Sequence, residues 1–288
     1  MQLLPLQPST VALFERFTFS HLRSRLSLTV NGDVAIGAYD GDQAVGLIYA
    51  YTDSDFAQIA SIFVKTSHRG LGIGTALLSE LESHLDGKVG RIHVAYPVGS
   101  SVLALERTLE KCEFSRPSTD TLIYRVDARL AGAPWFGKCT LARNARVVGW
   151  TDVTLAQRQA IASGQGEWFP LYLSPFRDEG RIDGGLSLVL LVGDQPMGWC
   201  MAHQISQDAR LYTSLVVHPK MQHLGYAFSL VAESVERQVR QRIPYGLFAV
   251  LVGNHAMLSI VQKWIAPYAL QVTEQRSASK VLVNPTKG

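Results

Sequence analysis

Residues 62–78 read IFVKTSHRGLGIGTALL, and the fold follows from how this stretch is parsed. A β-rich apolar run, Ile59 to Val64, breaks into a glycine-rich turn, and the turn opens directly into a helical pattern with Leu77, Leu78, Leu81 and Leu85 on one face. Strand, bare loop and helix start lie in succession. Gly70, Gly72 and Gly74 remove side chains where helix-start amides have no acceptor, which predicts a cradle for a pyrophosphate.

The stretch recurs. Residues 215–231 read LVVHPKMQHLGYAFSLV, so that Gln222-x-x-Gly225-x-Ala227 repeats Arg69-x-x-Gly72-x-Gly74 at an offset of 153. Upstream, Gly41-Asp42-Gln43-Ala44-Val45-Gly46 is echoed by Gly193-Asp194-Gln195-Pro196-Met197-Gly198 at an offset of 152. Two separate segments in nearly one register predict two copies of one domain, because a period this long is a whole domain and not a solenoid unit.

The loop pattern and its echo resemble the acyl-CoA loop of the GNAT acyltransferase superfamily. That resemblance implies an α/β (α+β) chain of two tandem GNAT-like domains, each a mixed, mostly antiparallel central sheet flanked by helices. The expected boundaries are 1–130 and 140–288, with a linker at about 128–142 marked by Gly132, Pro134 and Gly137. The resemblance also implies acetyl-CoA, or another acyl-CoA, as cofactor. In the first copy it would be held by Ile62, Phe63, Val64, Arg69, Gly70, Leu71, Gly72, Ile73, Gly74 and Thr75. In the second the corresponding residues are Val216, Val217, Gln222, His223, Leu224, Gly225, Tyr226 and Ala227, with Asn254 reaching the pantetheine arm or the bound acyl group. The implied reaction is direct acyl transfer to a primary amine of a small molecule or peptide. A non-catalytic acyl-CoA-binding or scaffolding protein, with one or both copies degenerate, is the competing reading.

Composition narrows the classes. With 288 residues and 47% apolar content the chain can bury the cores of two domains. No apolar run approaches the roughly 20 residues of a membrane helix, and the start MQLLPLQPST lacks the basic region of a secretory signal. A net charge of +3 without basic runs points away from nucleic acid. Cys112, Cys139 and Cys200 have no ligand spacing, so no metal site is expected and a reducing, cytoplasmic compartment is. The spacing of GLGIGT lacks the final glycine of G-x-G-x-x-G, against a dinucleotide oxidoreductase.

In chain order the pattern predicts helices at 11–19 and 21–28, a break at Asn31-Gly32-Asp33, strands at 34–39 and 44–51, and a turn at Thr52-Asp53-Ser54-Asp55. A strand at 58–64 precedes the loop and helix, then a strand at 91–96, the break Pro97-Val98-Gly99-Ser100, a helix at 102–112 and a strand at 122–126. The second copy is expected to run through a helix at 155–162, strands at 186–192, 197–203 and 210–217, the second loop and its helix, a strand at 247–252 and a helix ending at Trp264.

Catalytic groups are harder to place. In GNAT domains a tyrosine acting as general acid usually stands in the closing helix, and here Leu109 and Val261 occupy that position. Tyr124 in the first copy, and Tyr212 and Tyr268 in the second, are substitute acids, Tyr124 being equally a buried strand tyrosine. No carboxylate lies within 58–64 or 210–217, which leaves Asp55 and Asp208, just before those strands, as bases or as ordinary turn residues. The insertion SGQGEWFPLYLSP at 163–175 offers Glu167, Trp168, Phe169 and Tyr172 either as acceptor contacts or as core filler. Asn254 is either a pantetheine contact or a helix cap. This insertion, with Asn254, makes the second copy the expected seat of the chemistry.

Overall fold

In a computed structural model the described residues are 1–28, 33–53, 55–99, 101–138, 141–177 and 179–282. The expectations that involve Asn31, Gly32, Ser54, Ser100 and Cys139 lie outside them at those positions. The chain divides into two compact units, residues 1–120 together with 274–282, and residues 121–273.

The first unit contains β1 (Gln2–Pro5), α1 (Val11–Phe14), α2 (Ser20–Leu28), β2 (Val34–Asp40), β3 (Gln43–Asp53), β4 (Phe56–Val64), α3 (Ile73–Leu85), β5 (Arg91–Pro97) and α4 (Val102–Lys111). The expected helix at 11–19 is interrupted: α1 tightens into a 3-10 turn at Glu15–Phe17 and the chain extends at Thr18. β6 (Ser118–Val126) begins here and continues into the second unit. Neighbouring strands run antiparallel except β4 and β5, which are parallel. On one sheet face Leu77, Leu78, Leu81 and Leu85 of α3 are fully buried against Ile36, Val45 and Ile48. Each such leucine contributes about 1.5–3 kcal/mol. Phe14, Phe17 and Leu26 cover the other face over Leu47 and Tyr49.

The second unit contains the remainder of β6, β7 (Ala145–Gly149), α5 (Leu155–Ser163), β8 (Leu188–Val192), β9 (Gln195–Gln204), β10 (Ala209–Val217), α6 (Tyr226–Arg240), β11 (Tyr245–Leu251) and α7 (His255–Trp264). Tyr226, Leu230, Val231 and Val235 bury one face of its sheet, and Trp150, Ile161, Phe169 and Trp199 the other. Residues 128–138, read from their glycines and proline as linker, pack here: Leu130 is fully buried, and the Trp135 indole donates to the Trp264 carbonyl at 3.2 Å.

The last strand, β12 (Ala269–Val281), gave no signal in the sequence reading. Its residues Gln275–Val281 pair antiparallel with Pro97–Arg91 of β5, inside the first unit. In the second unit the corresponding edge is filled by Thr121–Val126 of β6 against Leu251–Gly246 of β11. The closing strand of each unit is therefore drawn from the opposite half of the sequence. An open β5 or β11 edge would otherwise present unpaired backbone groups.

The two hairpin echoes have a physical cause. Gly41 and Gly193 turn with φ 57° and 59°, in the left-handed region that glycine tolerates best. At Gly46 a Cβ would stand 3.1 Å from the Phe63 carbonyl oxygen, and at Gly198 only 2.5 Å from that of Val216. The neighbouring strand leaves a tight fit at Gly46 and no room for a Cβ at Gly198 without a backbone shift.

Candidate acyl-carrier clefts

Each unit carries a β-bulge just before its loop. Ile59 pairs with Ala50 and Ser61 with Tyr49, so Ala60 is skipped; Tyr212 pairs with Ala202 and Ser214 with Met201, so Thr213 is skipped. The two bulges stand at equivalent positions. Parallel pairing of β4 with β5 covers only Phe56–Ile59 with Arg91–Val94, and that of β10 with β11 only Ala209–Tyr212 with Tyr245–Phe248. Beyond the bulge the strands part, which is the added bend such an insertion produces.

The parting exposes backbone. Lys65 N–H donates to Val45 and His218 N–H to Met197, both toward the antiparallel neighbour. By strand alternation the amides of Ile62 and Val64, and of Leu215 and Val217, face the opened side. The Arg69 guanidinium donates to the Val64 carbonyl at 3.1 Å, and the Gln222 amide to that of Val217 at 3.2 Å. These side chains brace the two loops in the same way.

Gly72 and Gly225 are the caps of α3 and α6, at φ 79° and 81°. The first capping bonds inside the helices are Ala76 N–H to Gly72 and Ser229 N–H to Gly225. The amides before Ala76 and before Ser229 thus have no in-helix acceptor, and the positive end of the helix dipole adds to their pull on an anion. Added Cβ atoms at Gly70 and Gly72 would meet open space. Leu71 and Leu224 are exposed, whereas Ile73 and Tyr226 anchor the helix starts in the cores. Gly74 lies against Thr108 of α4, with Thr75 next to it and Ala227 at the equivalent place in α6.

The fan between β4 and β5 borders an open cavity of about 310 Å³. Its walls come from Arg16–Phe19, Ile59–Phe63, Val94–Pro97 and Leu105. The Ser61 hydroxyl donates to the Phe17 carbonyl, while the buried Thr18 hydroxyl oxygen has no hydrogen-bond partner. The Tyr96 hydroxyl donates to Glu106 at 3.1 Å, and Arg276 of β12 donates to the same carboxylate oxygen at 2.9 Å. Burial first, then the bond to Glu106, raises the Tyr96 pKa and keeps the phenol protonated. The sequence reading missed all three residues. Glu106, one turn before Leu109, was the visible clue; Arg276, 170 positions from Glu106, carried none.

In the second unit Trp199 follows Gly198 where Leu47 follows Gly46. Its indole is fully buried and donates to the Leu173 carbonyl and to the Ser214 hydroxyl, both at 3.2 Å. Trp168 and Phe169 pack on it at 5.2 and 4.7 Å between ring centres. Within the insertion these two act as core, while Glu167 and Tyr172 are exposed.

The other sequence candidates scatter. Tyr212 is buried, stacked on Phe248 at 4.4 Å and bonded through its hydroxyl to Gln238 at 2.9 Å. Desolvation raises its pKa. Tyr124 is a buried core residue of the second unit, and Tyr268 packs half-buried on that same core. Asp55 accepts the Gly90 amide, through both its carbonyl and its carboxylate, and the Asp208 carbonyl accepts that of Tyr245. Both aspartates sit at the strand ends remote from the loops. Asn254 caps α7, its side chain accepting the Met257 amide at 3.1 Å.

Known proteins bear on this geometry. The acetyltransferase (GNAT) family model matches residues 8–114 and again 154–263. No curated protein matches the sequence. Among solved structures, a tandem GNAT protein from the clavulanic acid biosynthesis pathway aligns over 99% of both chains at 12% identity, TM-score 0.72. A GCN5-related N-acetyltransferase from Sphaerobacter thermophilus covers 98% of this chain and 95% of its own at 15% identity, TM-score 0.65. A GNAT-family acetyltransferase from Colwellia psychrerythraea covers 98% and 100% at 10% identity, TM-score 0.59. At these identities the likeness is one of fold. Two matched stretches that together span most of the sequence, each coinciding with a bulged, parted strand pair and a glycine-capped helix, make this chain a member of the GNAT acetyltransferase family, with two GNAT domains in tandem.

Proposed function

We propose that the chain is an acyl-CoA-dependent N-acyltransferase, acting on a primary amine of a small molecule or peptide, and that its first unit carries the reacting acyl-CoA. The observation behind this assignment is the cavity of about 310 Å³ between β4 and β5, lined by the end of the strand that leads into the glycine loop and by Tyr96, whose hydroxyl is bonded to Glu106. The loop amides would hold the pyrophosphate, Ile62 or Val64 N–H would polarise the thioester carbonyl, and Thr18 offers an uncommitted hydroxyl. The sequence alone favoured the second unit.

A passive role for the second unit has its own support. The Trp199 indole donates from β9 to the Ser214 hydroxyl of β10, where the first unit has Leu47, and His223 takes the left-handed backbone position that glycine holds in the first loop. Titration calorimetry with CoA on the full chain tests the assignment, using Gly72→Glu and Gly225→Glu with thermal melts as a check on folding. Gly72→Glu should abolish binding and the release of thiol from acetyl-CoA with an amine panel, and Gly225→Glu should leave both. The opposite pattern returns the chemistry to the second unit. CoA binding without thiol release for any amine would favour the non-catalytic reading.

A further inference from the structure

The family's usual tyrosine position holds Leu109, yet the first cleft has a polar apparatus of its own. Tyr96, next to last in β5, stands in the cavity wall and donates to Glu106 of α4. Arg276 lies directly opposite Tyr96 in the β5–β12 register and grips the same Glu106 oxygen. Glu106 and Arg276 side chains are 20% and 35% exposed, so the ion pair is partly withdrawn from solvent. With its own proton engaged by Glu106, the Tyr96 oxygen retains its capacity to accept a hydrogen bond.

We propose that Tyr96 and Glu106 form a proton shuttle for acyl transfer in the first cleft, with Arg276, supplied by the last strand of the chain, as the residue that positions Glu106. The proposal rests on the acyltransferase reading above. As the neutral amine nitrogen bonds to the thioester carbon, the carbonyl π pair moves onto oxygen, and one N–H proton passes to the Tyr96 oxygen while the Tyr96 proton passes to Glu106. The carbonyl then re-forms as the carbon–sulfur bond breaks, the bond's electron pair leaves with sulfur, and the shuttle runs backward to deliver that proton to the thiolate. One carboxylate serves as base and then as acid, so no separate group is required in β4. The raised Tyr96 pKa fits a phenol that relays protons without accumulating as phenolate.

The test uses CoA itself, bound to the full chain in a Gly225→Glu background, with thiolate ultraviolet absorbance followed as pH rises. A sulfur facing the Tyr96 oxygen and the Glu106 charge should stay protonated to higher pH than in free CoA. Tyr96→Phe and Glu106→Gln should each move the titration back toward that of free CoA while CoA still binds, and Arg276→Gln should move it less. A bound thiol that titrates like free CoA, or a titration unmoved by both Tyr96→Phe and Glu106→Gln with binding intact, overturns the shuttle. Failure of the unsubstituted chain to bind CoA refutes instead the acyltransferase reading, and the shuttle with it.

Discussion

His223 stands at φ 68° at the loop position where Gly70, 153 residues earlier, stands at φ 81°. The second loop imposes on a side-chain-bearing residue a conformation that costs about 1–2 kcal/mol outside glycine. Part of that cost is offset because glycine loses more freedom on folding. His223→Gly is therefore expected to stabilise the second unit by about 0.5–1 kcal/mol. A denaturant midpoint that stays put or falls would contradict this.

Gly46 and Gly198 face the same strand approach with different clearance. A methyl group 2.5 Å from the Val216 carbonyl oxygen forces a backbone shift, whereas 3.1 Å at Phe63 asks for a few tenths of an ångström. Gly198→Ala should cost about 2–3 kcal/mol and Gly46→Ala about 1. Equal losses in the two unfolding curves would show that the second strand pair relaxes freely.

Tyr212 is a core residue in this fold. Tyr212→Phe leaves the buried Gln238 oxygen without its donor and should lower stability by about 1–2 kcal/mol. CoA affinity and any thiol release should be unchanged. A drop in turnover at constant stability would support Tyr212 as an acid.

His93, bonded to Ser279 at 3.0 Å, has its pKa lowered mainly by burial, with Arg91 adding to the shift and Asp120 opposing it. The unfolded chain therefore takes up this proton first as pH falls below about 6.5. The stabilisation from neutral His93 is complete above that pH and is lost on acidification toward the folded value. His93→Gln should flatten the stability profile between about pH 7 and pH 5. Parallel profiles for the two proteins would remove His93 as the cause.

Much of the cleft was legible because it rests on local backbone demands. A strand that ends in glycines and reopens as a helix writes its amide cradle into consecutive residues. The Gly41/Gly46 and Gly193/Gly198 spacings likewise record a left-handed turn and a close strand approach. Repetition of both signals at nearly one offset was enough for two domains and for the family.

What the tertiary structure decided is the completion of each sheet and the polar cluster joined to Tyr96 of the first cleft. β12 alternates weakly and carries Gln, Thr, Glu, Arg, Ser and Lys, so hydrophobic period does not announce it. Its pairing with β5 depends on an edge created by distant residues, and strand partnership is a property of that edge. Only there do Tyr96, Glu106 and Arg276 meet. Local sequence determined where helix-start amides are left without in-helix acceptors; long-range β pairing decided which arginine joins Tyr96 on Glu106.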